Sequence, residues 1–108
     1  MGRRVWAMAA LIVLLGVLAG CARPPAELHG RVEVDGQTVA VRYDLRNFRL
    51  GRDGHVHISL DGGPEVMAGV DGYTFRQVAP GRHTVSVYVT DARHQPTELK
   101  QTVPFEVR

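Results

Sequence analysis

His55 and His57 flank Val56 in Gly54-His55-Val56-His57, and their type and spacing suggest chemistry more directly than any other residues of this 108-residue chain. Alternate side chains of an extended strand share a face, so the two imidazoles leave one side with backbones about 7 Å apart and can converge on one ion. Zn²⁺ or Cu²⁺ suits such nitrogen donors. The candidate third ligand is His94, in Asp91-Ala92-Arg93-His94-Gln95-Pro96, with Tyr88 and Asp91 as further polar neighbours. His83 follows Pro80-Gly81-Arg82, and His29 completes the five histidines. Cu(I) chemistry on soft sulfur is disfavoured, because beyond Cys21 the chain has one methionine, Met67, and no cysteine. Enzymatic chemistry is disfavoured too. Ser59 and Ser86 are the only serines, neither has a nucleophile-elbow setting, and no acid pair stands in a recognisable acid/base motif. The sole tryptophan, Trp6, lies in the N-terminal apolar run, so stacking on carbohydrate has little support.

The second chemically distinctive residue is Cys21. Sixteen uncharged residues, Val5 to Gly20, follow Arg3 and Arg4 and end in Leu18-Ala19-Gly20-Cys21. Two arginines favour a cytoplasmic N-terminus, the apolar run enters the translocon, and the small residues expose the backbone before the cysteine to a peptidase. The run is shorter than the ~20 residues of a spanning helix. Leu-Ala-Gly-Cys resembles the lipobox of bacterial lipoproteins. The resemblance implies a signal peptide over 1–20, a diacylglyceryl thioether on Cys21, often an amide-linked third chain, and an extracytoplasmic domain anchored to a membrane of the cell envelope. Ala22 in place of aspartate is compatible with an outer membrane in a two-membrane cell. Residues 21–27, with Pro24 and Pro25, then form a short, stiff tether.

Removing the leader lowers the 13 Lys+Arg of the chain to 11, which matches the 11 Asp+Glu, so the formal charge falls from +2 to 0. A neutral domain without a Lys/Arg run argues against nucleic acid and against strong attraction to anionic headgroups. With its one cysteine lipidated the domain has no internal disulfide, and stability must come from a core of about eighty residues.

Residues 28–108 alternate with period two, broken by turn dipeptides, which predicts an all-β domain. Val32 and Val34 precede Asp35-Gly36, a hairpin signal, and Val39, Val41, Tyr43 and Leu45 follow. The phase then shifts to Phe48 and Leu50, implying a bulge or bend near Arg46-Asn47. Val56, Ile58 and Leu60 run into Asp61-Gly62-Gly63-Pro64. A short strand over 66–68, Tyr73 with Phe75, the Val85-Val87-Val89 strand and a last strand of Val103, Phe105 and Val107 complete the pattern. Pro104 places that last strand at an edge. Seven short strands predict a two-sheet sandwich of immunoglobulin-like or fibronectin-III-like type, with a small barrel as the alternative.

Tyr73 to Val87, with its Pro80-Gly81 corner, resembles strand E, the corner and strand F of fibronectin-III-like sandwiches. In such a fold the strand of residues 55–60 lies antiparallel to that of 82–90, which brings His94 and Tyr88 toward His55 and His57. His83 falls at the opposite end, about 23 Å away. It is read as a structural imidazole bonded to backbone at the corner, and His29 as a solvated surface residue. Gly-His-x-His, Leu-Asp-Gly, Pro-Gly-x-His-Thr-Val and Asp-x-x-His-x-Pro together resemble a group of uncharacterised secreted or periplasmic bacterial domains, which implies compartment and fold but no mechanism. The expected function is a non-enzymatic lipoprotein presenting a sandwich to another cell-envelope protein. The alternative is a Zn- or Cu-binding lipoprotein using His55, His57 and His94.

Overall fold

A computed structural model describes residues 23–108; the expected signal peptide, read as an N-terminal helix, and the expected lipidation of Cys21 lie outside the described residues. Seven strands follow in order: β1 (Glu27–Asp35), β2 (Thr38–Arg46), β3 (Gly54–Leu60), β4 (Glu65–Met67), β5 (Tyr73–Phe75), β6 (Gly81–Asp91) and β7 (Pro96–Val107). They form two antiparallel sheets, ordered β1-β2-β5 and β4-β3-β6-β7. The expected all-β sandwich is thus the observed architecture. β1 takes in Glu27, one residue before the expected domain boundary.

Alternation decides which side chains meet between the sheets. Val39, Val41 and Tyr43 from β2 face Val56 and Ile58 from β3, Val85, Val87 and Val89 from β6, and Val107 from β7, all buried. β-branched side chains fit a pleated surface, and each fully buried one stabilises by roughly 1.5–3 kcal/mol. The Tyr43 hydroxyl donates to Gly69 O at 2.7 Å, tying the β4–β5 connection to the core edge. On the other flank Gly30 N–H donates to Gln101 Oε1 at 2.5 Å, joining β1 to β7 across the sheets. As Pro104 predicted, β7 is an edge strand with β6 as its ladder partner.

The β1–β2 hairpin turns at Gly36, where φ is 58°. Alternation does not resume with Phe48 and Leu50. The chain bends at Asn47, whose φ is 58°, but 47–53 stays a loop in which Leu50 makes an isolated bridge to Gly54 and is 39 % exposed. The loop closes on itself, since Arg49 O accepts Asp53 N–H and Gly54 O accepts Gly51 N–H, both at 2.8 Å, which turns the backbone there inward instead of along a ladder.

Candidate functional site

β3 starts where β6 ends: Gly54 pairs with Asp91, His55 with Thr90 and His57 with Tyr88. The period-two rule puts His55, His57, Ser59, Tyr88 and Met67 on the outer face of the four-stranded sheet. The turn after β6 is built around Asp91. Its Oδ1 accepts the N–H of Arg93 at 2.8 Å and of Gln95 at 3.0 Å, while Asp91 O accepts His94 N–H at 3.0 Å. This wrap holds His94 at φ 60° and lays its ring parallel to that of His55, with centroids 5.6 Å apart and an interplanar angle of 14°. The strand order inferred from sequence therefore brings His94 to His55.

His57 goes elsewhere. Its ring stacks on Tyr88, its neighbour across the ladder, at 5.5 Å and 16°. His57 Nε2 and the Tyr88 hydroxyl are both buried without a hydrogen-bond partner. Burial first, and then the Glu65 carboxylate, push the Tyr88 phenol up to about 12, so it stays neutral near pH 7. Among the described residues no group of three or more His, Cys, Asp or Glu side chains is arranged to hold a metal ion. Asp91 is committed to the turn backbone, and His57 to Tyr88.

At the opposite end of β6, the His83 imidazole is 14 % exposed. Nδ1 lies 2.6 Å from Asp61 Oδ2 and Nε2 lies 2.7 Å from Ala79 O. Both partners are acceptors, so the contacts favour the protonated ring, in which both nitrogens donate. The Asp61 hydrogen bond is the main cause that raises the His83 pKa, followed by the Ala79 carbonyl. Reciprocally, His83 and then the Thr84 N–H, which donates to Asp61 Oδ1 at 2.8 Å, lower that of Asp61. The ring also stacks on Phe105 at 5.5 Å, a cation–π geometry. His83 is bonded to backbone at the corner, as the sequence suggested, but its ionic partner was missed. Asp61 reads from sequence as a turn residue of Leu60-Asp61-Gly62; the signal was the parity that sets His83 at the end of β6 where β3 stops.

His29 is exposed and lies 3.9 Å from Glu27. Ser59 is buried and its hydroxyl donates to Gly63 O at 2.9 Å, a turn contact. No protein-family model matches the chain, and neither the curated proteins nor the solved structures show a significant match to it.

Proposed function

We propose that this protein is an extracytoplasmic lipoprotein, anchored through Cys21, whose sandwich is a non-enzymatic binding module for another protein of the cell envelope. The observation that carries the reading is the uncharged run Val5–Gly20 ending in Leu18-Ala19-Gly20-Cys21, with two arginines before it and a two-proline tether after it. The distribution of exposed apolar side chains adds support. Of the five exposed large hydrophobics among the described residues, three, Met67, Val70 and Tyr73, fall in and beside the β4–β5 connection that crosses between the sheets. Val70 is 80 % exposed at the tip of a turn closed by paired Gly69–Gly72 hydrogen bonds of 3.1 Å. Apolar groups exposed on and beside one hydrogen-bonded turn suit a protein partner.

The test expresses the full chain in a bacterium and measures the intact mass of the membrane-extracted protein. A mature N-terminus at Cys21 carrying diacylglycerol is expected, and Cys21→Ala should leave the unprocessed precursor. An unmodified Cys21 would overturn the anchor. A photo-crosslinker at Val70 should trap a discrete envelope protein that the same group at Arg108 does not trap; equal trapping would remove the binding-module reading.

The stacked His55–His94 pair favours a second reading, a Zn²⁺ or Cu²⁺ lipoprotein, which would also draw on His57. Two adjacent imidazoles supply half of the tetrahedral set that structural zinc takes. The binding module is therefore preferred.

A further inference from the structure

The loop between β2 and β3 borders a cleft of about 530 Å³ lined by Arg23, Asn47, Phe48, Arg49, Arg52 and Asp53. Three arginines and one aspartate line it, and one oxygen of that carboxylate is engaged: Asp53 Oδ2 accepts the Arg49 backbone N–H at 2.8 Å. The three arginines are exposed, and among the described residues none joins an ion pair. Asn47 Nδ2 donates to Pro25 O at 2.9 Å, which fastens the tether against the loop and keeps Arg23 beside Arg49 and Arg52. Arg23 stands two residues after Cys21. The cleft therefore lies at the end of the sandwich from which the chain runs to its anchor. Arg46, at the end of β2, and Arg93, in the turn holding His94, belong to the same end, as do Glu27, opposite Arg46 in the ladder, and Asp91, whose carboxylate is taken by the turn backbone, because β1 starts, β2 ends, β3 starts and β6 ends there. The neutral total of the domain conceals this concentration: between Arg46 and Asp53 there are three arginines and one acid.

We propose that the cleft of Arg23, Arg49 and Arg52 binds the phosphate of an anionic lipid headgroup in the bilayer that holds the Cys21 acyl chains. Guanidinium forks match phosphate oxygens bidentately, and Leu50, exposed between Arg49 and Arg52, can enter the headgroup boundary. The contact turns a flexible anchor into an oriented one, with the tether end against the membrane. The proposal rests on the anchoring proposed above.

The test reconstitutes the processed, acylated protein, beginning at Cys21, into vesicles of phosphatidylcholine alone or mixed with phosphatidylglycerol and follows amide hydrogen exchange over residues 47–53. Exchange should be slower in the mixed vesicles. Each arginine near an anionic surface contributes about fivefold, so Arg49→Gln with Arg52→Gln should lower headgroup affinity roughly 25-fold and abolish the slowing, with the thermal melt unchanged. Equal exchange in the two vesicle types, or slowing that persists in the double variant, overturns the proposal. Inorganic phosphate that slows the same amides in phosphatidylcholine vesicles overturns the lipid as its source. Retention on neutral vesicles reads the acyl chains alone; a wild-type chain that is not retained removes the anchor, and the proposal with it.

Discussion

Gly54 is the point where the candidate site depends on the absence of a side chain, and Gly54→Ala tests that dependence. A Cβ there would stand 1.8 Å from Thr90 O, 2.8 Å from Thr90 C and 2.9 Å from Asp91 Cα, all backbone atoms. To reach an ordinary contact of 3.4 Å, β3 must retreat from β6 by about 1.6 Å at this end. A ladder hydrogen bond does not survive such a shift, so the Gly54–Asp91 and His55–Thr90 pairs should open. Two lost bonds cost about 1 kcal/mol each. Holding an alanine at φ 154° costs on the order of 1–2 kcal/mol more. The total is about 3–4 kcal/mol, which in a domain of this size lowers Tm by roughly 12–30 °C. Gly36→Ala is the control: φ is 58°, but nothing lies within 4 Å of the new Cβ, so only the left-handed penalty of about 1 kcal/mol applies, roughly 5 °C. Thermal melts of the domain beginning at Arg23, followed by circular dichroism, compare the two. Equal melting temperatures would refute the clash. An unchanged His55–His94 ring contact in the Gly54→Ala variant, read from imidazole NMR shifts, would refute the link from strand spacing to the site.

The His83–Asp61 pair sets a pH window. His83 is raised above 6.5, so its contribution is complete below that value and fades as pH climbs through the folded pKa; Asp61 is lowered below 3.8, so its contribution is present above that value and fades as pH falls through its folded pKa. Urea midpoints at about pH 5.5 and about pH 8.5 should show the wild type losing stability at the higher pH, and His83→Gln should lose most of that difference; an equal loss in both proteins would assign it to other groups. Ile58, fully buried between the sheets, should cost about 3 kcal/mol as alanine, while Val34→Ala, at 42 % exposure, should stay within about 0.5 kcal/mol. Calorimetric titration of the untagged domain with Zn²⁺ should show no saturable binding tighter than about millimolar; a micromolar site lost with His55→Ala would make the metal reading the better one.

Much of this architecture was legible in the order of residues. Alternating valines named the inner faces of β2, β3 and β6, Asp35-Gly36 named a hairpin, and Pro104 named an edge, because each reports a local constraint that the backbone obeys whatever surrounds it. The approach of His94 to His55 was legible at one remove, through the strand order of a sandwich. The expected site was not legible in detail. That His57 would stack on Tyr88 while Asp91 spent its carboxylate on the turn depends on rotamers and cross-ladder neighbours, and no spacing along the chain encodes those. Asp61 stands 22 residues from His83 and was hidden by its turn. The arginines of the tether end were hidden by counting, since a zero net charge has no position. The sequence by itself determined the strand periodicity, the turns and the lipobox-like pattern before Cys21, which are short-range properties of backbone and composition. Only the tertiary structure decided which ionisable groups share space, because partners in a β-sandwich come from strands distant in sequence, brought together by packing of two apolar faces rather than by any signal in the charged residues themselves.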